Sequence, residues 1–466
     1  MSISLFEAIT TEDATTANGA LTHSTSQNPV LDLFFLAGAA RSISEEDILR
    51  LIQKAYLHNP LQTLKLIFWS GDCRQGIGER RFFKIALKFL DKHYPEVLGK
   101  NLGLVPFFSR WDSLFDLEHP EVLNLVKAAL DNKDSLLAKW LPRQHSKKFV
   151  TFRKAFQAKF NLNDRDYRKL IVGLSNTVEQ LMTAKKWDQI IYRSVPSVAM
   201  NKYRTAFYKH DEARFAEFIE KVTSGEEKIN AGAIFPHDLY RSLVKTDKKQ
   251  EHIAIDAQWN ALPNYLAGSE EKFLPVVDCS GSMDMANGLP AAIAISLGIY
   301  LSERNESIFK DGFITFSTSP KLQTLKGSFS EKVRQFDRSF ALNTDLQKVF
   351  QVVLEKAKAG NVSQEQMPTS IILISDMEFD SCCDGRTNFD NIRDLYAQSG
   401  YALPNIIFWN VSGTPGNVPV KMNQQGVALI SGASPSIIKA VLGGDVSPMR
   451  VMETTLNGER YKEVQL

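Results

Sequence analysis

The stretch Phe273-Leu-Pro-Val-Val-Asp-Cys-Ser-Gly-Ser-Met283 decides how the second half of the chain is read. An apolar run of strand type stops at an Asp-x-Ser-x-Ser loop. The loop sets one carboxylate, Asp278, and two hydroxyls, Ser280 and Ser282, at the carboxyl end of the predicted strand. All three are hard oxygen donors, which suit Mg2+, Mn2+ or Ca2+ better than zinc. Open α/β sheets hold their ligands at that same strand edge. The pattern therefore predicts a divalent-cation site whose remaining ligands come from neighbouring loops.

Working outward, further apolar strands are expected at 312–316, 370–374, 405–409 and 427–430, separated by helical patterns at 291–302, 345–359, 389–398 and 435–442. Strand and helix in alternation argue for a parallel, doubly wound, Rossmann-like sheet across residues 272–466. Two loops stand where extra oxygen ligands are needed. Thr344, in Asn343-Thr344-Asp345, opens a helix, and Asp376 follows the apolar run ending at Ile374 after only Ser375. Asp278, Ser280, Ser282, Thr344 and Asp376 are thus the expected metal ligands. Glu378, Asp380 and Asp384 could add charge behind them or form a solvated acidic loop. Cys279 reads as a small buried filler, and the adjacent Cys382 and Cys383 as an ordinary loop.

The chain has 466 residues, 44% hydrophobic and 23% charged, with a formal net charge of +2. That length exceeds one ordinary domain, and near-neutrality leaves any nucleic-acid preference to local patches. Four cysteines without paired zinc spacing favour a reducing compartment over a disulfide framework. The first residues lack the basic and apolar regions of a signal peptide, and no run of eighteen apolar residues is present. A soluble, cytoplasmic protein without membrane contact is the expectation.

Residues 10–28 are rich in Thr, Ser, Asn and Ala, which predicts a surface-hugging or flexible stretch, and residues 1–28 are set apart as a flexible amino-terminal segment. Residues 29–271 read as helical almost throughout. Ser44 is placed to cap a helix whose stripe is Ile48, Leu51, Ile52, Ala55 and Tyr56, and Phe82, Ile85, Ala86, Phe89 and Leu90 repeat the pattern. Further helices are expected near 121–130, 134–141, 147–160, 164–183 and 211–222, with a polar connection near 245–270. Short helices joined by Pro- or Gly-marked turns point to a HEAT-like solenoid, although no strict period is visible. The fold class is α plus α/β.

The ordered set Asp-x-Ser-x-Ser, Thr344 and Asp376 resembles the von Willebrand factor A domain with its metal-ion-dependent adhesion site. The resemblance implies that Ser280, Ser282 and Thr344 bind the metal directly, that Asp278 and Asp376 act directly or through water, and that one position stays open for an acidic residue of a partner. Asn343 stands where that family often has glycine. The helical half resembles the Ro autoantigen (TROVE) module in Arg110-Trp-Asp-Ser-Leu-Phe115, Leu137-Ala-Lys-Trp-Leu-Pro-Arg143, Trp187-Asp-Gln-Ile-Ile-Tyr-Arg-Ser-Val-Pro-Ser197, Lys228-Ile-Asn-Ala-Gly232 and Pro236-His-Asp-Leu239. The combination is similar to plant, fungal, bacterial and phage proteins that pair such a region with an A domain. It implies a helical ring closed by the A domain that binds non-coding or misfolded RNA.

The residues lend RNA some independent support. Arg143, Lys147, Lys148, Arg153, Lys154 and Lys159 crowd one segment, interleaved with Trp140, Phe149, Phe152, Phe156, Phe160 and Tyr167. Cations attract phosphates and exposed rings can stack bases, although helical spacing assigns most of these rings to the core. Gly71-Asp-Cys-Arg-Gln-Gly-Ile-Gly-Glu-Arg-Arg81 lacks the ending of a nucleotide-binding loop, so Gly76 and Gly78 read as a turn before a helix whose amino terminus, with Arg80 and Arg81, could take a phosphate. No catalytic motif is found: there is no His-Glu-x-x-His, Gly-x-Ser-x-Gly or Cys-x-x-Cys. The expectation is a non-enzymatic RNA-binding protein with a metal-dependent carboxylate-binding site. The alternative is a metal-dependent protein-interaction scaffold that binds no RNA.

Overall fold

The computed structural model describes residues 13–175, 177–316, 320–338, 345–381, 387–442 and 446–466. Thr344, Cys382, Cys383 and Asp384 lie outside these.

The second half forms a six-stranded sheet in the order β5-β4-β3-β6-β7-β8, where β3 is Phe273–Val277, β4 Gly312–Thr315, β5 Lys321–Thr324, β6 Ser370–Ser375, β7 Asn405–Asn410 and β8 Val427–Ser431. All neighbours run parallel except β5, which returns antiparallel beside β4. β3, β4, β6 and β8 are buried at every residue, the signature of a parallel sheet covered on both faces. β5 escaped the sequence reading because it is a short edge strand with mostly exposed, polar side chains.

Between β3 and β4 runs the helix Met285–Glu303, buried continuously from Pro290 to Ser302. It begins with three left-handed residues, Ala286, Asn287 and Gly288, so its regular part starts only at Leu289. The stretch Gly281–Glu303 is long and apolar enough to cross a membrane by length and composition, contrary to the reading above, and most of it is buried inside this fold. A Cβ on Gly298 would lie 2.3 Å from Val277 Cγ2, so glycine is what lets this helix approach β3.

The first half is helical from Pro29 onward. Ser44 caps Glu45–His58 by accepting from Asp47 N–H at 3.1 Å, and Ile48, Ile52, Ala55 and Tyr56 turn inward. Consecutive helices Pro29–Ala37, Glu45–His58, Pro60–Gly71 and Arg80–His93 pack on one another. Three expectations need correction. The predicted 164–183 helix is two, Asp164–Leu174 and Val178–Thr183, because Ser175 turns its hydroxyl back to Ile171 O at 2.5 Å and Thr177 caps a new start. The supposed polar connection contains the helix Lys249–Asn260, whose buried Trp259 stacks on Phe329 at 3.6 Å between centroids. The last predicted helix is a 3-10 turn, Pro435–Ala440.

The two halves interlock. Helix Pro29–Ala37 packs on β8, where a Cβ on Gly38 would meet Gly432 Cα at 2.5 Å. Helices Pro236–Leu243 and Lys249–Asn260 pack on Met285–Glu303 and Phe329–Gln335. Both ends of the helical half thus rest on the α/β half, and one hydrophobic core runs through both. A second core, built on Tyr192, Phe207, Phe215, Phe218 and neighbours, belongs to residues 178–229, with Ala254 and Ala257 packed on it from helix Lys249–Asn260.

The described part of the amino-terminal segment lies along the surface of the α/β half as secondary structure. β1 (Asp13–Thr15) and β2 (Leu21–His23) form a hairpin laid against the α/β half. Thr16 Oγ1 donates to Phe379 O at 2.6 Å and Thr22 Oγ1 to Val418 O at 2.9 Å. Its small polar residues are used as hydrogen-bonding groups, which composition alone does not reveal.

Candidate metal centre

Asp278 leaves β3 and Asp376 leaves β6, two adjacent parallel strands. The chain departs from β3 toward β4 on one side and returns to β6 on the other. Their carboxyl ends therefore flank the point where strand order reverses, which is where doubly wound sheets form a crevice.

Asp278 is 0% exposed and Asp376 5%. Ser280 N–H donates to Asp278 Oδ1 at 2.9 Å, and the Ser375 hydroxyl donates to Asp278 Oδ2 at 2.6 Å. Asp278 thereby fixes the serine loop to the end of β6. The Ser280 and Ser282 hydroxyls face each other at 3.0 Å, and the Ser282 hydroxyl is close enough to Asp376 to favour its ionised form. Glu378 N–H donates to Asp376 Oδ1 at 3.2 Å. Met377, between them, is left-handed at φ 68°, a strained backbone of the kind that gathers at functional sites. Ser282 is half-buried and marks the open side.

Burial raises the Asp278 carboxyl, with the nearby Asp380 charge adding to it. Burial and the Asp278 charge push Asp376 up to about 6. Among the described residues, no Lys, Arg or His forms an ion pair with either carboxylate. Two buried carboxylates with two neighbouring hydroxyls, and with no cationic ion-pair partner among the described residues, form a donor set suited to a hard divalent cation. The described residues contain no cluster of three or more His, Cys, Asp or Glu of metal-holding type. A site of two carboxylates and serine hydroxyls does not take that form.

The neighbours have other duties. Glu378 accepts from Ala17 N–H at 2.7 Å and from the Thr414 hydroxyl at 2.8 Å, pinning the amino-terminal hairpin beside the site. Cys279 is buried, and burial pushes its thiol up to about 12, which makes it unreactive filler. At the rim, Arg338 pairs with Asp284 at 2.6 Å.

The basic candidates separate. Arg153 is corrected: it is 9% exposed and holds Gln157 Oε1 at 2.8 Å and Asp164 Oδ1 at 3.3 Å, so it braces two helices. The helix Arg80–His93 offers no vacant amino terminus, because Glu79 caps it and pairs with Arg41 at 2.7 Å. Arg81 donates to Ala40 O at 3.0 Å. Lys147, Lys154 and Lys159 are exposed. Lys148, Lys84 and Arg110 converge on the buried Asp112, at 3.9, 3.7 and 2.7 Å, and Arg80 lies within the electrostatic reach of both Arg110 and Asp112. In the sequence Lys84 was not named and Arg110 appeared only within the Arg110–Phe115 motif; the signal for Lys84 was its spacing of four residues from Arg80 and three from Arg81. Arg143 points elsewhere, donating to Ser175 Oγ at 3.3 Å. Phe152, Phe156 and Tyr167 are buried, and Phe149, Phe160 and Trp140 partly so.

Residues 16–112 and 135–269 match the family described as a domain of unknown function (DUF2828). Residues 272–465 match another described as a domain of unknown function (DUF7788). Uncharacterized protein L728 of Acanthamoeba polyphaga mimivirus is 25% identical over 498 residues, which cover 94% of this chain and 86% of that protein.

Proposed function

We propose that the protein is a non-enzymatic binding protein whose α/β half is a von Willebrand factor A domain that grips a partner carboxylate through a divalent cation. The observation carrying this reading is the meeting of Asp278, Ser280 and Ser282 with Asp376 at the switch point of a parallel sheet, both carboxylates buried and, among the described residues, without a cationic ion-pair partner. These four residues would hold Mg2+, or Mn2+ or Ca2+, and Thr344 is expected to add a third hydroxyl. The ion supplies the positive charge that draws in an acidic side chain. The protein supplies the oxygen cradle, the burial that strengthens its charge and the open side at Ser282. Calorimetric titration with MgCl2 or MnCl2 tests this. One site is expected in the wild type, weakened at least tenfold in Asp278→Ala and Asp376→Ala; no uptake of either ion by the wild type sinks the reading.

A second reading, RNA held by a Ro-like ring of HEAT-type helices closed by the A domain, is favoured by two observations. Arg80, Lys84, Arg110 and Lys148 crowd around Asp112 and Asp116, leaving cations in excess beside exposed Lys147. Both ends of the helical half also rest on the α/β half. Binding of a single-stranded RNA oligomer is expected to be strongest at low salt and to fall at least tenfold when Lys147, Lys148 and Lys154 become Glu. Absence of RNA affinity at low salt, with Mg2+-dependent and RNase-insensitive partner capture retained, selects the scaffold reading instead.

A further inference from the structure

A groove runs along the seam between the two hydrophobic cores of the helical half. It consists of a cleft of about 740 Å3 and a second of about 390 Å3, which share Lys139, Thr177 and Glu179 as a common wall. The first opens against Ile171, at the edge of the main core. The second opens against Val178, Ile190 and Val195, in the separate core. The saddle between them is the Lys139–Glu179 ion pair, 3.0 Å, joining helix Ser135–Trp140 to helix Val178–Thr183.

The lining has two properties at once. Large aliphatic side chains stand in solvent along it: Leu136 at 51% exposure, Val172 at 50% and Ile191 at 60%. Exposed aliphatic groups lining a concavity are the usual anchor points for a partner's apolar side chains. The charge is also one-sided. Glu179 is the only acidic residue lining either cleft and is neutralised by Lys139, while Arg143 and Arg168 are exposed and have no carboxylate partner among the described residues.

We propose that this groove binds a peptide segment of a partner protein that carries aliphatic anchors interspersed with Asp or Glu. Arg143 and Arg168 meet the carboxylates, and Leu136, Val172 and Ile191 receive the apolar side chains. A nucleic-acid strand fits less well. Tyr167, the one Phe, Tyr or Trp lining either cleft, is buried with its hydroxyl tied to Pro142 O at 3.0 Å, which leaves the exposed imidazole of His145 as the single ring on which a base could stack. The groove uses neither the sheet edge nor the cluster around Asp112; it shares only Arg143 with the basic residues that the sequence offered for RNA, which is why the test below includes a uridine oligomer.

The test pans phage-displayed random peptides on the full-length protein, with counter-selection on an Arg143→Glu/Arg168→Glu variant. The expected pool is enriched in Asp or Glu interspersed with Leu, Ile or Val. Its members should lose at least tenfold in affinity by fluorescence anisotropy on that variant. They should lose as much on Leu136→Ser/Ile191→Ser, whose exposed positions leave folding intact by circular dichroism. An uridine oligomer should not displace them. A pool without that composition, no variant-sensitive pool, loss on the charge variant alone, or equal displacement by the uridine oligomer overturns the proposal.

Discussion

Burial disfavours the charged forms of both His237 and Asp376, and the two bend the dependence of stability on pH in opposite directions. His237 faces Asp238, Arg41 and Arg241, stacks on Phe235, and is lowered to about 4 from an ordinary 6.5, with burial as the largest cause. Its Nδ1 has no hydrogen-bond partner among the described residues. A histidine depressed on folding binds fewer protons in the native state. Its contribution is therefore complete above about 6.5 and is lost as pH falls from there through about 4. That shift corresponds to roughly 3 kcal/mol. Denaturant melts of His237→Leu from pH 7 to pH 4 should show a flatter acid limb than the wild type; parallel curves count against the assignment. Asp376, raised on folding, works the other way, costing stability as pH rises through about 6. Residue-level legibility in the sequence divided along the same line of burial. Asp278, Ser280, Ser282 and Asp376 were readable because an apolar run fixes where a strand ends and which side chains stand at its edge. Arg153 was not, because a basic residue on a helix looks the same in sequence whether it faces water or braces Asp164.

At the scale of elements, the contact between β3 and helix Met285–Glu303 links the core to the candidate metal centre. Val277, whose Cγ2 occupies the space above Gly298, immediately precedes Asp278. Gly298→Ala gains about 1 kcal/mol in helix propensity but forces a methyl into 2.3 Å of Val277 Cγ2. Overpacking of that kind costs about 1–3 kcal/mol, so a net loss is expected, together with weaker Mg2+ binding as the end of β3 shifts. Adding Val277→Ala removes the obstructing methyls. A double-mutant cycle should then show coupling of about 1 kcal/mol or more in the favourable direction. Additive losses argue against this account of the glycine. The main parallel strands were legible because burial on both faces demands continuous apolar runs. β1, β2 and β5 were not, since three or four residues, most of them polar, carry no such pattern. The break between Leu174 and Val178 was equally hidden: the apolar period continues across it, and only tertiary packing assigns its two sides to different cores.

For the whole molecule, the carboxyl-terminal turn ties the α/β half back to the helical half through a buried carboxylate. Asp72, fully buried, accepts two bonds from the Arg460 guanidinium and one from the Tyr461 hydroxyl at 3.1 Å, and Gln465 N–H donates to Asn101 Oδ1 at 3.1 Å. Removing one partner of a buried pair strands the other, at a cost of about 3–5 kcal/mol; Arg460 keeps some contact with water, which places Asp72→Ala near the lower figure. Because residues 29–174, helix Pro236–Leu243 and the sheet share one core, they should unfold together, while residues 178–229, built on the second core, open separately. Calorimetry of Asp72→Ala should therefore show the main transition lowered with the smaller one unchanged. Hydrogen exchange should show amides of Ser197–His210 and Glu212–Ser224 protected as in the wild type. A uniform loss of protection across both cores would mean that the seam transmits stability and that the groove along it is rigid. Protection lost only from the main core would leave the two sides of the groove free to adjust to a ligand lying between them.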